Sequence, residues 1–124
     1  FKYIIKNDGL ERRECLHIFS QVVQAVEHTH SHGILHRDIK AENILLRENG
    51  EVVLADFGLC TAARPGRKTV CGSPQYVSPE LISEEDYGYN TESWSLGVLL
   101  FVMSTASYPF EDNSIERMYQ KILS

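Results

Sequence analysis

Asp38, Lys40, Asn43 and Asp56 place two carboxylates, an ammonium and an amide close together in the middle of the chain. They sit in two of three compact blocks: HRDIKAEN (His36 to Asn43), DFG (Asp56 to Gly58) and GSPQYVSPE (Gly72 to Glu80). Asn43 and Asp56 offer hard oxygens, the ligand type that a magnesium ion takes. Taken singly, Asp38 reads as a loop residue and Asp56 as a strand-ending turn residue. The blocks gain meaning from their order and from the elements that bring them together.

Ile44 to Leu46 and Val52 to Leu54 are apolar runs around Asn49-Gly50, a pair that favours a tight hairpin turn because both residues tolerate positive φ. Such a hairpin carries Asn43 at one end and Asp56 at the other, so two metal-capable side chains converge through local geometry. Ile34-Leu35 reads as a short buried strand leading into HRDIKAEN. Upstream, Asn7-Asp8-Gly9 signals a turn. Asp8 and Glu11 have capping-box spacing for a helix. That helix carries an apolar stripe at Leu16, Phe19, Val22, Val23 and Val26, runs to about His30 and stops before Gly33. Ser93 to Met103 is apolar on nearly every side, the pattern of a buried core helix. Ile115, Met118, Tyr119 and Ile122 form a last amphipathic stripe.

The 124 residues suffice for one domain with a real core. A composition of 43% hydrophobic and 23% charged residues is that of an ordinary globular chain. A net charge of -5 argues against a dedicated nucleic-acid binder, which carries a basic patch, and suits a basic peptide substrate. The apolar run Leu96 to Met103 is too short to span a bilayer. Cys15, Cys60 and Cys71 form no CxxC pair, which fits a reducing compartment, so the expected location is cytoplasmic or nuclear. His28 and His32 share a helix face as zinc ligands can, but no cysteine or carboxylate completes a site. Histidines at a helix C-terminus are also favoured by the helix dipole.

The three blocks, in this order and at roughly this spacing, resemble the catalytic loop, metal loop and activation segment of a eukaryotic-type serine/threonine protein kinase. The resemblance runs over essentially the whole chain. It implies a protein-kinase-like α+β fold, with residues 1–124 forming part of the large C-terminal lobe, mainly helical with a short β-hairpin. KTVCGSPQYVSPE most resembles the calmodulin-dependent, AMP-activated and polo-like groups. The glycine-rich phosphate loop, the VAIK-like lysine and the C-terminal helices are absent, so the chain reads as a partial domain.

What the resemblance implies for individual residues follows the motifs. Asp38 orients the substrate hydroxyl and takes its proton. Lys40 neutralises charge on the transferred phosphoryl group and marks the serine/threonine pattern. Asn43 and Asp56 hold Mg2+ on ATP, and Phe57 packs against the core. Ser73 bonds Asp38 and Lys40, and Gly72 to Tyr76 seat the substrate residue after the acceptor. Glu42 contacts basic substrate residues, and Glu80 is a buried acid whose usual arginine partner lies beyond Ser124. Arg37 pairs with a phosphate on Thr69, placed there by an upstream activating kinase. Arg64, Arg67 and Lys68 beside Thr69 belong to a turn-rich loop.

Two departures from the family pattern bear on activity. Ala41 replaces a common proline without evident consequence. Glu92 stands where an aspartate usually accepts the catalytic-loop amides; being a methylene longer, it predicts a looser brace. The expected partner is a protein with a serine or threonine acceptor. The rival reading is a pseudokinase or truncated kinase-like scaffold, against which the intact Asp38, Lys40, Asn43 and Asp56 argue. Because the parts that cover and align ATP are missing, the isolated segment is expected not to turn over ATP efficiently. A radiolabelled phosphotransfer assay on the segment checks this, and measurable phosphorylation refutes it.

Overall fold

A computed structural model describes residues 1–62, 72–86 and 88–124. Helix α1 (Lys2–Lys6) ends in a turn where Asp8 and Gly9 both adopt positive φ, +51° and +89°. Gly9 is required here: a Cβ would lie 2.4 Å from the Ser104 carbonyl oxygen. The next residue, Leu10, donates its amide to the Met103 carbonyl at 2.8 Å. The turn thus docks on the far end of a later helix. This use of Asp8 to Leu10 displaces the expected capping box. Helix α2 (Arg12–Ser31) starts after Glu11, with no side-chain cap bond at its N-terminus.

The buried stripe of α2 is Cys15, Ile18, Val22 and Val26. Leu16 and Val23, expected in that stripe, are exposed at 51% and 36%, and Phe19 packs at its margin. The pairs Cys15-Leu16, Ile18-Phe19 and Val22-Val23 offer two neighbouring helical phases, and packing against later elements selects one. The helix ends as expected: the Gly33 amide bonds the His30 carbonyl at 2.9 Å, with Gly33 at φ +69°.

Strand β1 (Ile34–Leu35) pairs antiparallel with β4 (Thr61–Ala62). Of the expected buried pair only Leu35 is enclosed, since strand side chains alternate between faces. The expected hairpin is β2 (Ile44–Leu46) against β3 (Val52–Leu54), in the register Ile44 to Leu54 and Leu46 to Val52. Its turn differs from the expected tight type. Only Gly50 has positive φ, its amide bonds the Arg47 carbonyl at 2.9 Å, and the Asn49 side chain accepts from the Glu51 amide at 3.0 Å. This is a three-residue loop closed by a glycine bulge.

The short helix α3 (Pro79–Ile82) is capped by Ser78 and precedes α4 (Tyr89–Thr105). Helix α4 begins four residues before the predicted Ser93 and buries Thr91, Glu92, Ser95, Val98, Leu99, Val102 and Met103. Apolar on nearly every side in sequence, it is nonetheless open along one edge, where Phe101 is 42% exposed and Trp94 stacks on Phe110 at 6.1 Å. Helix α5 (Ile115–Leu123) buries Met118 and Ile122 of its expected stripe, whereas Ile115 is exposed. The main core joins α2, α4 and the hairpin, with a smaller cluster of Leu35, Val77 and Leu81 beside α5.

Replacing Gly9 tests the docking of the first turn on α4. Gly9→Ala is expected to destabilise the fold by about 1–3 kcal/mol from the left-handed backbone alone, read as a lower urea midpoint. An unchanged midpoint would remove this contact from the account.

Candidate active site

The loop that follows β1 is held from below by α4. Glu92 is 0% exposed, yet it is a charged residue type. Its Oε1 accepts the His36 amide at 3.0 Å and its Oε2 accepts the Arg37 amide at 2.8 Å. Oε1 also receives His30 Nε2 at 2.7 Å. The brace expected to be loose is therefore closed, with both oxygens of the longer side chain on loop amides. Arg37 adopts φ +73°, a left-handed conformation that a non-glycine residue keeps only when its surroundings impose it.

The buried His36 ring ties this loop to the next one. Nδ1 accepts the Asp38 amide at 3.1 Å, so Nε2 carries the proton and donates to the Ala55 carbonyl at 2.8 Å. Asp56 follows at φ +57°, and its Oδ1 accepts the Gly58 amide at 3.3 Å. Phe57 meets the His36 ring edge-on at 4.6 Å and is 40% exposed. It was expected against the core; the imidazole, which itself fills the interior position, receives it instead.

Hairpin pairing brings Asn43 and Asp56 to the same end. Ile44 is opposite Leu54, and the Ala55 amide bonds the Asn43 carbonyl at 2.8 Å. The Asn43 amide nitrogen donates both to the Asp38 carbonyl at 2.7 Å and to Asp38 Oδ2 at 3.1 Å. With both N–H groups committed, Asn43 Oδ1 is left as an acceptor. Lys40 Nζ lies 3.6 Å from Asp38 Oδ1 and donates to Ser73 Oγ at 3.0 Å. Ser73 thus bonds Lys40, as expected, and reaches Asp38 only through it.

The segment bearing Ser73 closes over the loop. A Cβ on Gly72, at φ +91°, would come 3.0 Å from the Arg37 carbonyl. The Ala41 amide donates to the Tyr76 hydroxyl at 3.2 Å, and Ser95 on α4 donates to the Tyr76 carbonyl at 3.3 Å. Burial pushes the Tyr76 phenol far above its ordinary value. The Tyr108 phenol is raised first by partial burial, then by the negative charges of Glu42 and Glu111. Glu42 itself is exposed. Glu80 Oε2 is buried with no hydrogen-bond partner among the described residues. Thr69, Arg64, Arg67, Lys68 and Cys71 lie outside the described residues.

Sequence reasoning missed His30 as part of this site. The signal was available: Val22, Val26 and His30 recur at four-residue spacing, so His30 occupies a core-facing phase where the stripe is otherwise apolar.

This chain belongs to the protein kinase family: residues 1–124 match the protein kinase domain. It is similar to SNF1-related protein kinase catalytic subunit alpha KIN12 of Arabidopsis thaliana, at 40% identity over 98% of this chain and 25% of that protein. The carbon catabolite-derepressing protein kinase of Saccharomyces cerevisiae is 44% identical over 98% of this chain and 20% of its own length. Human NUAK family SNF1-like kinase 2 is 41% identical, again over 98% of this chain and 20% of that protein. The chain thus spans between a fifth and a quarter of these relatives. They sit on the SNF1- and AMP-activated side of the three groups that the sequence suggested.

Tyr76→Phe removes the acceptor of the buried Ala41 amide while keeping the ring. An unsatisfied buried donor costs about 1–3 kcal/mol, and that loss is expected in the unfolding free energy. A Tyr76→Phe variant as stable as the parent would show that Ala41 has another acceptor.

Proposed function

We propose that the protein carrying this chain transfers the γ-phosphoryl group of ATP to serine or threonine side chains of other proteins. The observation that carries the reading is the setting of Asp38. Its carboxylate is held by the Asn43 amide at 3.1 Å and faced by the Lys40 ammonium at 3.6 Å. A carboxylate so fixed can orient an acceptor hydroxyl and take its proton. Lys40, anchored on Ser73, is poised to meet negative charge arriving beside Asp38.

The donor set fits magnesium. Among the described residues nothing donates to the Asn43 amide oxygen, which is fixed in orientation by the two bonds its nitrogen donates, and Asp56 keeps Oδ2 beyond the bond its Oδ1 accepts from Gly58. These are the two residues that would hold Mg2+ on ATP; bound there, the ion neutralises and aligns the phosphates. The chain's own residues do the rest. Asn43 keeps Asp38 from rotating, and Asp56 presents its carboxylate from a fixed left-handed turn.

Residues 1–124 fit the large lobe of the kinase fold, with the hairpin at the catalytic end. Glu42 and Glu111 both lie near enough to raise the Tyr108 phenol, and their negative charge favours protein substrates with basic residues near the acceptor. Thr69 is proposed as the site for an upstream activating kinase, with Arg37 as the phosphate's partner. No helix among the described residues is long and apolar enough to cross a membrane. A cytoplasmic or nuclear location is proposed.

Two variants of the full-length protein test this reading. Asp38→Asn should lower kcat by about 10²–10⁴-fold, the share general-base catalysis usually carries, with the KM for ATP little changed. Asp56→Asn should abolish magnesium-dependent nucleotide binding in calorimetry. A parent protein that binds the magnesium nucleotide but transfers no phosphate would instead be a pseudokinase.

A further inference from the structure

Ala41 was expected to replace a common proline without consequence, yet a proline has no amide hydrogen and the one Ala41 carries is used. It donates to the Tyr76 hydroxyl at 3.2 Å, with Ala41 2% and Tyr76 5% exposed. The rest of Tyr76 is also engaged. Its ring meets the Tyr108 ring edge-on at 6.0 Å, and its carbonyl accepts Ser95 Oγ at 3.3 Å.

Two neighbouring loop residues therefore hold the two ends of one turn. Lys40 donates through its side chain to Ser73 Oγ at 3.0 Å, and Ala41 donates through its backbone to Tyr76. Ser73 caps the 3-10 turn Pro74–Tyr76, which the Tyr76 amide closes on the Ser73 carbonyl at 3.0 Å. The two holds differ in kind. Lys40 reaches Ser73 at the end of a flexible four-carbon stem, and its charge is also the one poised to meet the phosphoryl group. The Ala41 amide is part of the loop backbone itself, three residues after Asp38, and its bond sets a fixed distance.

We infer that Ala41 is a positioning residue: its amide latches Tyr76 and so fixes the register of the substrate seat, Gly72 to Tyr76, against the loop that carries Asp38. This rests on the phosphotransfer reading above, and the test separates the two. Local backbone makes proline the informative substitution. Lys40 is extended at φ −161° and ψ 165°, the region a residue before proline adopts. Ala41 is the first residue of its 3-10 turn, the kind of position proline favours. Ala41→Pro thus suits the loop, removes the donor and turns the ring Cδ towards the Tyr76 hydroxyl. In the full-length protein it should raise the KM for a serine peptide about three- to tenfold, the share of one hydrogen bond. It should narrow, by a similar factor, the spread of kcat/KM among peptides that differ only at the residue after the acceptor. The KM for ATP should stay nearly unchanged.

Urea unfolding reads the same latch without turnover. Tyr76→Phe leaves the Ala41 amide buried without its acceptor, and adding Ala41→Pro removes that stranded donor. Ala41→Pro should therefore raise the midpoint of the Tyr76→Phe variant but not that of the parent. A parent protein without phosphotransfer would remove the kinase reading, while this difference between the two backgrounds would still support the latch. An equal shift in both backgrounds overturns the inference, as does an unchanged peptide KM with an unchanged preference after the acceptor. A rise of the ATP and peptide KM values together would make Ala41 a packing residue of the loop and overturn it too.

Discussion

A carboxylate taken fully out of water is tolerated only where donors replace its hydration. Glu92 is such a group, and each of its bonds reaches an element on which the site depends. The interaction works in both directions. The His36 and Arg37 amides lie where water does not reach freely and need an acceptor; Glu92 needs donors. Removing either side leaves the other uncompensated, which makes the pairing far more binding than its net contribution to stability. A surface ion pair such as Arg47 with Glu51, both more than half exposed, has no comparable hold on its surroundings.

The loop so held contains strain that would not persist alone. Arg37 and Asp56 both sit in the left-handed region, and neither is glycine. His36 connects the two, taking the Asp38 amide on one ring nitrogen and giving a proton to the Ala55 carbonyl from the other. One buried imidazole thereby fixes the spacing between the loop that carries Asp38 and the turn that carries Asp56. Phe57 lies against the same ring, so a change of its position would be felt at His36 first. The strain at each residue is of order 1–3 kcal/mol, within what a few buried hydrogen bonds can offset.

Local chemistry was legible in the sequence, while the relations between distant segments were not. The hairpin could be read because Ile44 to Leu46 and Val52 to Leu54 are apolar and separated by a turn dipeptide, and its pairing brings Asn43 towards Asp56. The turn type was misread, since Asn49 uses its side chain on the Glu51 amide and leaves positive φ to Gly50. The phase of α2 was ambiguous for a physical reason: adjacent apolar residues fit either face until α4 is present to choose. Glu92 was noticed as a departure, but whether a longer carboxylate would slacken the brace depends on how far α4 lies from the loop, which no local pattern encodes. The role of His30 was hidden among neighbouring histidines. His28 and His32 are exposed and touch each other, whereas His30 alone follows the Val22–Val26 phase inward.

Helix α4 controls more than the loop beneath which it lies. Glu92 and Ser95 are three residues apart and so share one helix face. The first grips the loop that carries Asp38, and the second bonds the Tyr76 carbonyl in the segment that closes over it. From above, Lys40 reaches Ser73 and the Ala41 amide reaches the Tyr76 hydroxyl, completing the circuit. The rotation and height of α4 are in turn fixed by Val98, Leu99 and Val102 in the core and by the Gly9–Leu10 turn docked at its far end. A displacement of α4 would therefore move Asp38 and Ser73 together, preserving their relation, whereas a rotation would pull one and release the other. A rotation is the costlier change, because it would break the bonds of buried Glu92 and Ser95 to partners in two different segments.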